Sequence, residues 1–463
     1  MEQARKPKRL RPRAKSFLDC LRYFVTPQVW MQAQQAGARR RKMPRWSTQP
    51  LLFVLLTLTW CYGDSLEERF EIARAYYVAS HQRRRRPGKT VQGFRKALAK
   101  LDRPTIRAFA DALRRQVAKK LAAVMELDGF VPLGCDGSRL ECPRSAELEQ
   151  RLRWAGKKQK RKRKGQQKKD TAPTIWLTAL VLLRTGVPWA WRLGASKPSE
   201  TAHLQQMLPT LPPKALVVGD ALYMGYELAS NIMATQAAFL FRLSSKNDLY
   251  TASDIALPRF REGIVYYWPK YAQQQNLPPL KLRLLRVRGK KTKHDVWLLT
   301  NVLESSRLSL KTAAWFYRLR WESEGFFRTF KRTLSKVKLA SRTVKLVTRE
   351  AEGSLLAVQL LLAQGALALA PLASDSGEAE PMSSPRKVLL EVRREILACI
   401  QVRLGGDYLE RLSQAKRERR QRRSQKTKRE WSRRREHKPP APPNLLRLTD
   451  EQEALVLQLE DAA

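Results

Sequence analysis

Two short apolar runs that each close on an aspartate constrain this chain most: Phe130-Val-Pro-Leu-Gly-Cys-Asp136 and Ala215-Leu-Val-Val-Gly-Asp220. Neither carries a charge before its terminal acid, and both are rich in the residues that fill buried strands. Acids at the ends of core strands face the site in open sheets, so a fold that buries both runs presents both carboxylates there. Gly137 and Ser138 then read as the turn that ends the first strand.

Around these runs the pattern alternates. Residues 174–183 and 187–193 read as a hairpin about Thr185-Gly186. A helix is expected over 199–208 and another over 222–235, with an apolar strand at 238–243 between that helix and a β-rich stretch covering 263–268, 280–287 and 295–301. A long helix is expected from about Leu310 to Lys338. Before Phe130 the periodicity is helical from Ser47 to about Met125, and Ser65-Leu-Glu-Glu68 has the S-x-x-E capping pattern.

Charge locates the partner. The chain has 463 residues with 90 Lys+Arg and 42 Asp+Glu, a net charge of +48. Five clusters (1–15, 39–45, 83–86, 157–169 and 416–438) carry +34 of it, so most of the remaining chain is only mildly basic. Clustered cations bind polyanions by releasing condensed counterions, which favours nucleic acid over solvated charge runs or an anionic membrane. Lys162 and Arg163, inside 157–169, are candidate DNA contacts. Five cysteines without C-x-x-C spacing and four scattered histidines argue against a disulfide framework or a zinc site, and free thiols fit a reducing cytosol. The longest apolar runs, 51–60 and the interrupted 355–370, fall short of the roughly 20 residues of a membrane span and read as core helices.

The acids imply chemistry. Phosphodiester cleavage at neutral pH needs an activated water and charge neutralisation, which two Mg²⁺ ions held by hard carboxylates supply. Asp136 is equally a turn residue and Asp220 a helix cap on local grounds. On the long helix, Tyr317, Arg320, Glu324 and Lys331 fall within about 60° at 100° per residue, with Trp315, Leu319, Phe326 and Phe330 opposite. A carboxylate flanked by two cations and a phenol suits a site beside phosphate; an ordinary solvated face with an Arg320–Glu324 pair is the plain alternative.

Asp136, Asp220 and Glu324 resemble the DDE triad of bacterial insertion-sequence transposases, and Tyr317, Arg320, Glu324 and Lys331 match the Y-x2-R-x3-E-x6-K motif of one branch. Gly219-Asp-Ala-Leu-Tyr223 is similar to that family's second-acid segment, and the 104 residues from Asp220 to Glu324 leave room for its inserted β subdomain. The resemblance implies an α/β, RNase H-like mixed sheet with flanking helices, a β-rich insertion and a helical N-terminal domain. It implies metal-dependent cut-and-paste transposition: water cleaves a transposon end, and the freed 3′-hydroxyl attacks the opposite strand and then the target. Asp136, Asp220 and Glu324 are the implied ligands of Mg²⁺ or Mn²⁺, two ions in all, with Tyr317, Arg320 and Lys331 on phosphates. Trp297 is either the residue that stacks on a flipped base or plain core. A homodimer on double-stranded DNA, in the cytoplasm and on the nucleoid, is expected, with no membrane. The rivals are a catalytically inactive DNA-binding relic or regulator, and a nonspecific nuclease. The expected organisation is a basic arm over 1–45, a helical DNA-binding domain over 46–127, a catalytic domain over 128–345 with its insertion at about 245–303, a packing helix over 346–370, a linker over 371–385 and a basic helical tail over 386–463.

Overall fold

The structure is a computed structural model that describes residues 14, 16–37, 45–82, 84–152, 172–195, 200–244, 246–252, 257, 259–288, 295–370, 382–401, 408–413 and 442–461. Six helices come first: α1 (Phe17–Phe24), α2 (Pro27–Gln35), α3 (Thr48–Trp60), α4 (Leu66–Ser80), α5 (Val91–Ala99) and α6 (Arg103–Met125). Strand β1 (Val131–Glu141), helix α7 (Ala146–Leu152) and strands β2 (Thr174–Leu182) and β3 (Pro188–Ala195) follow. Next come α8 (Glu200–Gln205), β4 (Ala215–Gly219), α9 (Tyr226–Ala234) and β5 (Ala238–Arg242). The β-rich stretch holds β6 (Asp248–Thr251), β7 (Glu262–Tyr267), α10 (Lys270–Gln274), β8 (Leu280–Val287) and β9 (Val296–Thr300). The chain ends with α11 (Leu310–Leu319), α12 (Trp321–Arg328), α13 (Val344–Leu369), α14 (Pro385–Ile400), α15 (Tyr408–Ser413), β10 (Asn444–Arg447) and α16 (Asp450–Asp461). This is the mixed α/β class expected.

These elements form two compact units, neither of them continuous in sequence. The first draws on 1–125, 137–198 and 324–418; the second on 126–136, 199–323 and 419–463. The consecutive boundaries read from composition cut across both.

In the first unit, α13 is the axis. Nearly all of it from Leu346 to Leu369 is buried, and so is α3 from Gln49 to Trp60. A helix apolar on all sides is held by burial rather than by one amphipathic face, at about 1.5–3 kcal/mol per large side chain. A Cβ on Gly353 would meet Leu55 Cγ at 2.5 Å, so this glycine sets how closely α3 and α13 approach. Trp60 Nε1 donates to the Ala357 carbonyl at 3.2 Å, and buried Gln359 donates to Pro188 at 2.8 Å. The 26-residue α13 is long and apolar enough to cross a membrane, which corrects the shorter run read from sequence; its most apolar window lies wholly inside the protein.

Two helices stand within the segment expected to be only a basic arm. Pro27 occupies the first turn of α2, where a missing N–H costs nothing. Ser16 and Asp19 form a reciprocal capping box that starts α1. Ser65 caps α4 as expected, accepting from the Glu68 N–H at 3.1 Å, while Glu68 accepts from the Asp64 N–H at 2.9 Å. The amphipathic segment after 385 is α14, whose Glu395 accepts from the Phe17 N–H at 2.8 Å.

In the second unit the strands run β1-β4-β5-β9-β8-β7-β6-β10. β1, β4 and β5 are parallel, and β5, β9, β8, β7 and β6 pair antiparallel in turn. β10 joins the edge parallel to β6, a long-range pairing with no local signal in the sequence. Leu133, Val217, Val218, Leu240 and Phe241 are fully buried, as the apolar runs require.

β1 does not end at Asp136. It continues through Gly137 and Ser138 to Glu141, and from Gly137 onward it belongs to the first unit. There the Glu141 N–H donates to Val337 and its carbonyl accepts from Leu339. The expected hairpin forms in that unit, β2 antiparallel to β3. Gly186 supplies the positive φ of +72° at its turn.

Candidate active site

Register sets the first two acids together. β1 and β4 are parallel neighbours with Gly134 opposite Val218. Asp136 and Asp220 each lie two residues beyond this last paired position, and the charges of both act on the Glu200 carboxyl. Asp220 keeps an extended backbone (φ −82°, ψ −174°) and caps the 3₁₀ turn Ala221–Tyr223, its Oδ1 accepting from the Leu222 N–H at 2.9 Å. The capping expectation holds: one Asp220 oxygen fixes the turn.

Behind these acids lies a polar chain that sequence reasoning missed. Tyr223, 1 % exposed, donates its hydroxyl to Glu200 Oε2 at 2.8 Å and also bonds the buried Cys135 thiol. Gly219 makes room for it, since a Cβ there would lie 2.9 Å from Tyr223 Cδ2 and 3.0 Å from Phe241 Cδ1. Burial pushes the half-buried Glu200 carboxyl above its ordinary range; the Tyr223 hydroxyl works against this, and the charges of Asp136 and Asp220 add to it. Burial likewise pushes the Cys135 thiol up, which marks it as inert. Glu200 opens α8 as an acid in a first helical turn, the commonest place for one, so no local signal sets it apart.

Among the described residues no group of three or more His, Cys, Asp or Glu side chains is gathered closely enough to cage a metal ion. The donor set nonetheless suits Mg²⁺, which keeps several waters and takes one or two carboxylates with substrate phosphate.

The remaining candidates sit on the helical segment, which is not one uninterrupted helix. At Arg320 the bonding tightens: its N–H reaches Tyr317 at 3.3 Å, and its carbonyl accepts from Ser323 at 3.0 Å. Thr329–Thr333 is a π turn. The uniform 100° step behind the 60° arc therefore does not hold across Arg320 or into Lys331. Phe326 and Phe330 are buried as expected, but Phe316 takes the core position expected of Trp315, which is 36 % exposed.

In the second unit the Arg320 guanidinium lies 5.7 Å from the Tyr317 ring centroid and 5.0 Å from that of Trp321, a ring 59 % exposed. Glu324, half-buried on α12, opens the last segment of the first unit. In that unit Lys331 Nζ donates to Ser138 Oγ at 2.7 Å; burial lowers its ammonium below the ordinary value, and Glu141 opposes this. Trp297 is 7 % exposed, stacked on Phe260 at 5.8 Å with the Arg286 guanidinium 5.4 Å from its ring. Its plain-core reading accounts for this, because a base needs an open ring face. Lys162 and Arg163 lie outside the described residues.

No curated protein matches the chain. Among solved structures it is similar to a piggyBac transposase synaptic complex with hairpin DNA determined by cryo-EM, at 12 % identity over 87 % of this chain and 86 % of that one, with a TM-score of 0.41. Residues 135–360 match the family model described as the transposase DDE domain, a span that takes in Asp136, Asp220 and Glu324.

Proposed function

We propose that this protein is a DNA transposase that cleaves and joins strands at the ends of an insertion sequence by a metal-dependent, cut-and-paste route. The observation that carries the reading is the pair Asp136 and Asp220, each two residues past the last paired position of the adjacent parallel strands β1 and β4, inside a segment that matches the transposase DDE domain. Asp136 and Asp220, with Glu324, would hold Mg²⁺ or Mn²⁺. Such ions, two in the reading we favour, supply an activated water and neutralise charge at the phosphorus.

The chain's own groups do the rest. The Asp220 cap fixes the turn after β4, so the carboxylate is oriented before any ligand arrives. Arg320, braced between two aromatic rings, offers its guanidinium edge to phosphate oxygens. Tyr317 donates a hydrogen bond, and Lys331, held by Ser138, presents a partly desolvated ammonium. The partner is double-stranded DNA, transposon ends and target, taken by a homodimer; the setting is a bacterial cytoplasm, on the nucleoid.

The Asp220→Asn variant keeps the Oδ1 acceptor that the Leu222 N–H requires, so its fold is preserved. It is expected to abolish metal-dependent strand cleavage of end-bearing DNA while leaving DNA affinity nearly intact. Loss of binding together with cleavage, or cleavage at the wild-type rate, would overturn the assignment.

A further inference from the structure

We propose that a cleft of the first unit, between α6 and β3, is a binding site for the phosphate backbone of duplex DNA. Arg103, Arg107 and Arg114 on α6 lie within an arc of about 40° at 100° per residue. They line the cleft with Arg192 of β3 and the half-buried Trp191. Arg103 and Arg107 are exposed, and Arg114 and Arg192 are half-buried.

The cations are placed, not scattered. Glu352, a buried carboxylate of α13, forms part of the cleft lining. It takes a 2.6 Å hydrogen bond from Arg349, whose Nε donates to the Leu101 carbonyl at 3.0 Å, and it feels the charges of Arg103 and Arg107. Asp111 pairs with Arg114 at 2.8 Å, and Arg192 donates to the Trp191 carbonyl at 3.0 Å. Two carboxylates thus face five guanidiniums. Arg192 feels the repulsion: burial, then Arg107, Arg114 and Arg103, pull its affinity for the proton down, with Asp111 opposing. A fold that fixes guanidiniums this close together is completed by an anion.

The shape selects which anion. Exposed arginines along one line of a helix, beside a strand edge, suit phosphates repeated along a duplex backbone, and planar guanidinium forks match phosphate oxygens in pairs. The two carboxylates that line the cleft are already paired with arginines, and the contacts proposed are to phosphates, which carry no sequence information directly. The inference rests on DNA being the partner, but it places contacts on elements that carry none of Asp136, Asp220 or Glu324.

The test is the salt dependence of binding to a fluorescent 30-base-pair duplex of arbitrary sequence. Each phosphate contact contributes about 0.9 to the slope of log affinity against log salt. Arg107→Ala with Arg192→Ala should therefore flatten the slope by about 1.8. Between 50 and 200 mM salt the wild type then loses about twelvefold more affinity than the variant. Lys96→Ala with Lys119→Ala, two exposed lysines of the same unit, is the control. If Arg192→Ala unfolds the protein, the exposed pair Arg103→Ala and Arg107→Ala gives the same reading. A slope unchanged from wild type, or an equal loss in the lysine control, overturns the cleft. So does loss of binding to anionic phospholipid vesicles with duplex binding retained. Wild-type protein that binds this duplex with the expected slopes but never cleaves end-bearing DNA with metal would instead refute the proposed activity and leave the cleft standing.

Discussion

Removing one buried hydroxyl, by Tyr223→Phe, should loosen the segment that carries Asp220. In the native fold this hydroxyl donates to Glu200 at 2.8 Å and also bonds Cys135, and the ring packs against Gly219. Phe keeps the ring and its packing, so the loss is confined to hydrogen bonding. A bond to a charged acceptor contributes about 1.5–3 kcal/mol, and the half-buried Glu200 places this one near the lower end, about 1.5 kcal/mol. That is about a tenfold rise in the local opening constant, since 1.4 kcal/mol is tenfold. Amide hydrogen exchange of peptides spanning 215–226 should accelerate by about this factor, while peptides of the β7–β8 hairpin stay unchanged. Cleavage should fall without a matching loss of DNA affinity. Unchanged exchange at 215–226 would refute the claim that Tyr223 and Glu200 hold the Asp220 turn.

Three more outcomes are expected, one from the same contacts and two from elsewhere in the second unit. Glu200, raised by burial, binds its proton more tightly folded than unfolded, so its contribution to stability is complete below the ordinary carboxyl value of 4.5 and is lost as pH rises through the raised value. Glu200→Gln should therefore gain melting temperature over wild type at pH 7 but not at pH 4, measured with EDTA present; a pH-independent difference contradicts this. Trp297→Ala should cost about 3–5 kcal/mol in denaturant unfolding while the folded fraction binds DNA normally; lost binding at unchanged stability would restore the base-stacking role. Ser323 is fully buried and its hydroxyl has no hydrogen-bond partner among the described residues, so Ser323→Ala should raise stability by about 1 kcal/mol in urea unfolding; a loss of stability would point to a hidden partner.

What the sequence made legible were features with a strong local cause. The runs ending at Asp136 and Asp220 form parallel strands because uncharged β-rich stretches must be buried on both faces. The Thr185-Gly186 turn is fixed by the glycine's positive φ, and the Ser65 cap by its hydroxyl. What escaped were features set from a distance. β1 runs on past Gly137 because Val337 and Leu339 satisfy Glu141 from about two hundred residues away in the chain. β10 pairs with β6 across a similar interval. Glu200 acquires its character from burial, opposed by the Tyr223 hydroxyl and reinforced by Asp136 and Asp220, none of them its sequence neighbours. The arginines of α6 fall outside the five basic clusters of the sequence, and only β3 and α13 bring Arg192 and Glu352 against them.

The central claim is metal-dependent chemistry at specific DNA ends. A supercoiled plasmid carrying the DNA that flanks this gene, incubated with purified protein and Mg²⁺, tests it most directly, with EDTA and Glu324→Gln as controls. Cuts at a pair of inverted ends, absent from both controls, are the predicted result. Tight binding without cleavage in Mg²⁺ or Mn²⁺ would contradict it and favour a DNA-binding relic, while cuts scattered without regard to ends would favour a nonspecific nuclease.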